Sequence, residues 1–192
     1  MSKLPQILGT ARNRVSFEIV PPQRGHCPKE ILESVERLCA FDPAFISVTN
    51  HPCVEYRCDD SAEHLVKIRP GTFGLSVAVR EQFGCLVLPH LIGLGCTAES
   101  FEDELIDLVY AGFEDFFFIK GDSQKLKAKH AEYPEIDTMT MIERARAIAR
   151  GEYLYTNAAG TKAAYSLGVA GYPGSRDPRS EEHTSELQSP NT

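Results

Sequence analysis

Short apolar segments alternate along the chain with longer segments in which apolar residues recur every three or four positions. The short segments are rich in β-branched and aromatic residues and end at proline, glycine or polar residues, which is typical of buried strands. They predict five strands, at Arg14 to Val20, Phe45 to Thr49, Leu86 to Leu91, Phe116 to Lys120 and Leu167 to Tyr172. The longer segments predict helices at Pro28 to Ala40, Ala98 to Ala111 and Thr140 to Arg150. Thr72 to Phe83, which has mixed apolar spacing and lies between Gly71 and Gly84, predicts a further helix.

This alternation predicts an α/β fold with a parallel sheet built from βαβ units. Leu86 to Leu91 and Phe116 to Ile119 are almost continuously apolar, as strands are when helices cover their sheet. An open doubly wound sheet and a closed barrel both satisfy the pattern. No G-x-G-x-x-G turn follows the first predicted strand, which makes a Rossmann sheet the weaker alternative.

The composition excludes several classes of function. The formal net charge of the 192 residues is -7 and no basic cluster is present, which argues against a nucleic-acid partner. Met1 to Thr10 lacks the features of a secretory signal, and no apolar run approaches the roughly 20 residues that span a bilayer as a helix. We therefore expect a cytoplasmic protein that does not enter a membrane.

The six cysteines are irregularly spaced and include no C-x-x-C pair, so reduced thiols are expected. Cys53 and Cys58, with His51 and His64 nearby, could be zinc ligands. Their spacing matches no common structural zinc site, however, which favours ordinary loop cysteines. No metal is predicted.

The C-terminal segment from Arg179 to Thr192 is polar throughout and has no apolar periodicity. Arg179 to Ser189 also resembles one reading frame of a widely used short-read sequencing adapter. We therefore divide the chain into a folded part at 1–178 and a disordered, adapter-derived tail at 179–192. A genuine flexible C-terminus is the alternative.

Glu18 is an acidic residue inside the first predicted strand. Because strand side chains alternate between faces, Val15, Phe17 and Ile19 should meet the helices, and Glu18 should point the other way with Ser16. In a barrel that direction is the interior, where burial would raise the pKa of a carboxyl and make it a proton donor near neutrality. A solvated edge strand is the alternative.

Polar residues also stand where the other predicted strands end. Parallel strands present their carboxyl ends on one side of the sheet, so these residues should form one rim and one site. Each alone is weak evidence, since Gly-Asp is an ordinary turn and a histidine at a strand end is commonly structural. The rim residues are Thr49, Asn50, His90, Asp122 and Tyr172.

Five motifs, in this order, resemble the methylenetetrahydrofolate reductase family. They are SFEIVPP (Ser16 to Pro22), FISVTNHP (Phe45 to Pro52), PHLIG (Pro89 to Gly93), IKGD (Ile119 to Asp122) and GVAGYP (Gly168 to Pro173). The resemblance covers the whole chain except the tail, and it depends on the series of motifs and not on any one of them.

The resemblance implies a (β/α)8 TIM barrel that binds FAD and uses NAD(P)H to reduce 5,10-methylenetetrahydrofolate to 5-methyltetrahydrofolate. The flavin carries the hydride between the two substrates, so the kinetics should be ping-pong. Glu18 would be the general acid and Asp122 a carboxylate beside flavin and folate. Thr49, Asn50, His90, Lys120, Gly121, Asp122 and Tyr172 would contact the cofactor. A homo-oligomer is expected for the full-length protein.

Some positions depart from the family pattern. Lys120 stands where the family commonly has Arg, which replaces a forked cation by a point charge. Asn50 replaces a usual Tyr, and Gly174 to Pro178 differs from the usual continuation.

About five βα units cannot close an eight-stranded barrel, so we expect the chain as printed to be aggregation-prone and inactive. The alternative function is a flavin-binding subunit of a larger electron-transfer complex, without direct NAD(P)H activity.

Overall fold

A computed structural model describes residues 4–10, 15–57, 63–121, 134–156 and 160–171. Helices and strands alternate along most of the chain. The helices are α1 (Leu4–Thr10), α2 (Lys29–Cys39), α3 (Thr72–Phe83), α4 (Ala98–Tyr110) and α5 (Thr138–Arg150). The strands are β1 (Phe17–Ile19), β2 (Ile46–Val48), β3 (Val54–Arg57), β4 (Glu63–Val66), β5 (Val87–Ile92), β6 (Asp115–Ile119) and β7 (Ser166–Val169).

Five of the strands form one parallel sheet in the order β1-β2-β5-β6-β7. The sheet follows chain order except that β3 and β4 pair separately, so each step between neighbouring main-sheet strands is a crossover. Sequential parallel strands with helical crossovers are the architecture of a (β/α)8 barrel. The described residues therefore form a five-stranded portion of such a barrel. Their alternation of strands and helices confirms the architecture predicted from the sequence.

One face of the sheet packs against the helices. Ile46 and Leu91 are fully buried there, and the ring of Phe118 meets Phe101 of α4 with 5.3 Å between centroids. The opposite face, called the inner face below, carries the side chains that alternate with these. Strand register aligns them in two rows, Glu18–Ser47–Leu88 and His90–Phe117–Gly168.

The helix boundaries follow from local chemistry. Thr97 and Ser100 form a reciprocal capping box at the start of α4, which satisfies amide groups that a helix N-terminus leaves unpaired. Asp137 caps α5 by accepting from the Thr140 amide, so this helix begins two residues before the predicted start. The predicted bounds of α3 are confirmed.

A short helix and a hairpin were not predicted. α1 has only seven residues, too few to show helical periodicity. The hairpin of β3 and β4 pairs Val54 with Val66 in antiparallel register, but its strands have four residues each and mix charged with apolar residues. Val54 to Arg57 does alternate apolar with polar residues, but Glu63 to Val66 does not, so the sequence indicated no pair of strands.

An ion pair joins α4 to α5. Arg144 Nε lies 3.0 Å from Glu102 Oε2, with only 18% and 8% of the two side chains exposed, although the two atoms are not aligned as a hydrogen bond. The other Glu102 oxygen accepts from the Leu154 amide at 2.9 Å. Glu102 therefore fixes both helices and the segment that follows α5.

Replacing Glu102 by Gln is expected to destabilise the fold by about 3 kcal/mol, because it leaves a mostly buried guanidinium without its counter-charge. Urea unfolding followed by circular dichroism measures this, since the chain has no tryptophan. Glu33→Gln is the control, because Glu33 pairs with Lys29 on the surface, with 52% and 77% of those side chains exposed. Equal losses in the two variants would show that the Glu102 pair does not hold the helices together.

Among the described residues, no helix is both long enough and apolar enough to cross a membrane.

Candidate functional site

Strands β1, β2 and β5 bring Glu18 and His90 together on the inner face. Glu18 stands opposite Ser47, and Ser47 stands opposite Leu88, two residues before His90. Glu18 Oε2 lies 3.9 Å from His90 Nε2. The predicted direction of Glu18, away from the helices, is therefore confirmed.

The predicted burial of Glu18 is wrong. Its side chain is 60% exposed, because β1 is the edge of the described sheet and nothing among the described residues covers its outer side. Val15 is also misplaced by the prediction, since it precedes β1 and is 49% exposed. Ile19, by contrast, is buried in the core as expected.

His90 is a buried, neutral imidazole. Burial, together with the charge of nearby His51, lowers its pKa to about 4. Its contact with Glu18 is therefore a polar contact of an uncharged ring and not an ion pair at neutral pH. On the other side the ring packs against Phe117, with centroids 4.9 Å apart.

Gly168 makes room for this stack. A Cβ atom at Gly168 would lie 2.8 Å from the Phe117 ring, too close for the ring to keep its place. The glycine of β7 thus sets the position of Phe117, and through Phe117 that of His90.

The end of β2 adds a second polar group. Thr49 Oγ1 lies 3.0 Å from His51 Nε2, and the Thr49 carbonyl accepts from Thr72 at the start of α3. Burial, Arg69 and Lys67 all lower the pKa of His51. The sequence indicated His51 only as a possible zinc ligand, although it is also part of the FISVTNHP motif.

Asn50 is held by a residue that the sequence did not reveal. Its Nδ2 donates to Glu104 Oε1 of α4 at 2.7 Å, and Asn50 is only 3% exposed. Burial raises the pKa of Glu104, while Lys67 and the Asn50 hydrogen bond oppose that rise. Asn50 Oδ1 is buried and has no hydrogen-bond partner among the described residues.

Lys120 and Gly121 follow β6 directly. Lys120 Nζ lies 3.9 Å from Glu135 Oε1 and its side chain is 57% exposed. Gly121 has φ +95° and a Cβ there would meet Leu94 at 2.7 Å, so both backbone conformation and packing require glycine. This is a structural reason for the glycine, and the predicted close approach to a ligand stays a prediction.

Asp122 and Tyr172, which complete the predicted site, lie outside the described residues. Of the predicted site residues, the structure therefore places Glu18 and His90 in contact and puts Thr49, Asn50, Lys120 and Gly121 after the strands on which they were predicted. Together they provide a carboxylate, a neutral imidazole, a buried acceptor and one exposed cation.

Comparison with known proteins identifies the family of this chain. A family model described as methylenetetrahydrofolate reductase matches residues 3–190. The chain belongs to the methylenetetrahydrofolate reductase family. The match runs into the segment predicted to be an adapter-derived tail, and the assignment of 179–192 stays a prediction.

A curated relative supports the same family. It is a protein of Pectobacterium carotovorum subsp. carotovorum named 5,10-methylenetetrahydrofolate reductase, 26% identical over 111 residues. The aligned segment covers 58% of this chain and 33% of the relative. The chain thus spans about a third of that methylenetetrahydrofolate reductase.

The described residues do not test the zinc alternative. No group of three or more potential metal-binding side chains is found among the described residues. Cys58 and the side chain of His64 lie outside them.

The neutral state of His90 predicts acid sensitivity. The unfolded imidazole takes up a proton near pH 6.5, whereas the folded one does so only near pH 4, so stability is full above about 6.5 and falls as the pH drops toward 4. The loss from His90 alone is on the order of 3 kcal/mol across this window.

Urea midpoints between pH 7 and 4 test this expectation. His90→Asn should flatten the decline, whereas the same change at exposed His26 should leave it as in the parent chain. Parallel curves for the parent and His90→Asn would contradict the neutral, buried state of His90.

Proposed function

We propose that this chain is the N-terminal part of an oxidoreductase that reduces 5,10-methylenetetrahydrofolate to 5-methyltetrahydrofolate with FAD and NAD(P)H. The observation that carries the proposal is the contact between Glu18 and His90 on the inner face of a sheet of this family. The family membership and the name of the Pectobacterium relative support the substrate class.

The described residues fit a flavin. Asn50 Oδ1 is a buried acceptor that lacks a protein donor, so an N–H group of a bound ring system would satisfy it. Thr49, His90 and Gly121 would line the same cofactor, and Lys120 would supply a positive charge for its anionic portion. When bound, the flavin supplies the two-electron relay between the nicotinamide and the folate.

Glu18 is the proton donor in this proposal. Opening of the five-membered folate ring breaks a carbon–nitrogen bond, and the departing nitrogen needs a proton that a carboxyl group can supply. Glu18 Oε2 would hold that proton. Because His90 is neutral, its ring can accept a hydrogen bond from the carboxyl group or donate one to it, and it does not form an ion pair with Glu18.

Substrate binding would have to change the surroundings of Glu18. Its side chain is 60% exposed in this structure, and a proton donor works best when bulk water is excluded. We propose that the folate, together with strands that complete the barrel, covers the inner face beside β1.

The experiment is an assay of the complete protein. NAD(P)H oxidation is measured first with menadione as electron acceptor and then with methylenetetrahydrofolate. Activity with both acceptors is expected from a reductase.

The second candidate, a flavin-binding subunit of an electron-transfer complex, predicts bound flavin without NAD(P)H oxidation in either assay. That result would replace the reductase proposal.

A further inference from the structure

Two cysteines meet at the end of the sheet opposite the predicted rim. Cys39 ends α2 and leads toward β2, and Cys85 follows α3 and leads into β5. Their Sγ atoms lie 2.8 Å apart, in contact and partly buried. Both are free thiols.

The surrounding backbone holds this pair in place. β2 and β5 are neighbours in the sheet, and the Ile46 amide donates to the carbonyl of Leu86, next to Cys85, at 2.8 Å. A disulfide has an S–S distance of about 2.05 Å, so the sulfur atoms need to approach by less than about 1 Å. Rotation of the side chains can supply that movement without moving a strand.

We propose that Cys39 and Cys85 are a reversible disulfide site, formed by exchange with a low-molecular-weight disulfide such as oxidised glutathione. The Cys39 sulfur attacks the small disulfide and releases one thiol. Cys85 then displaces the second thiol as the protein S–S bond forms. Two electrons pass from the cysteines to the small disulfide, and the two cysteine protons end on the two released thiols or in solvent.

The surroundings of Cys85 disfavour its thiolate form. Burial, the hydrogen bond to Cys39 and the nearby carboxylate of Asp42 raise the pKa of the Cys85 thiol. Because the thiolate is the nucleophile in exchange, Cys85 is disfavoured as the sulfur that attacks the external disulfide.

The disulfide would act as a staple and not as an active-site group. In barrels the amino-terminal ends of the strands contribute to stability, while the reactive residues lie at the carboxyl ends. Linking residues 39 and 85 restricts the unfolded chain, so the oxidised form should unfold at higher urea concentration than the reduced form.

The test is oxidation of the full chain with oxidised glutathione, followed by mass spectrometry of the intact protein and of its peptides. We expect the loss of two hydrogen atoms, a peptide link between Cys39 and Cys85, and a higher urea midpoint. Cys39→Ser and Cys85→Ser should each abolish the link, whereas Cys53→Ser should retain it.

Cys53 and Cys96 are the competing pair, because the charge of nearby Cys53 contributes to raising the pKa of the Cys96 thiol. A chain with Cys27→Ser, Cys53→Ser, Cys58→Ser and Cys96→Ser leaves only the proposed partners and should still form the link. Failure of that chain to oxidise, or a link through Cys53 in the parent, would overturn the proposal. Neither result depends on the proposed reductase activity.

Discussion

The chain as printed is expected to show no turnover with NAD(P)H and methylenetetrahydrofolate, and to self-associate when concentrated. Strand β1 pairs only with β2 and strand β7 only with β6 among the described residues, so both sheet edges can pair with other chains. Glu18 lies on one of these edges and is 60% exposed. A site so open to water cannot support proton transfer to a bound folate as a closed barrel would.

Size-exclusion chromatography measures self-association, and the visible absorbance of added FAD measures flavin binding. The matched control is the longer protein of which we propose this chain is the N-terminal part, and it should elute as a defined species with bound flavin. If the chain as printed were monomeric, bound yellow flavin and showed reductase turnover, that result would contradict the incomplete-barrel account.

Glu18→Gln in the complete protein is expected to lower methylenetetrahydrofolate reduction by about 100-fold or more, the usual size of a general-acid contribution. Glutamine keeps the shape and polarity of the side chain, but its amide has no acidic proton to transfer. NAD(P)H oxidation with menadione should change far less, because that reaction involves no opening of the folate ring.

Folding should be little affected, because Glu18 is mostly exposed and its contact with His90 is not an ion pair. Glu30→Gln on the exposed surface of α2 is the control and should leave both assays unchanged. An equal loss in the two assays for Glu18→Gln would assign Glu18 to flavin binding or to structure and not to proton donation.

Periodicity predicted most of the fold. α3 has the bounds predicted from its flanking glycines, and β5 and β6 each lie within one residue of their predicted bounds. β5 and β6 are almost continuously apolar, so the local sequence and the global fold favour the same structure. Strand alternation also predicted which face Glu18 occupies.

Long-range contacts could not be predicted in the same way. Glu104 lies 54 residues from Asn50 and Cys85 lies 46 residues from Cys39. Nothing in either local segment indicates a partner, because such pairs are created by the packing of different βα units. The exposure of Glu18 depends on which strands surround it, which the residues of β1 alone do not specify.

The most direct test of the central claim is a crystal structure of the complete protein with flavin and a folate analogue. The account predicts that Glu18 and His90 remain in contact on the inner face, that Asn50 Oδ1 accepts a hydrogen bond from the flavin, and that the folate lies against the Glu18 carboxylate. A flavin bound away from Asn50 and His90, or a Glu18 side chain turned toward the helices, would contradict it.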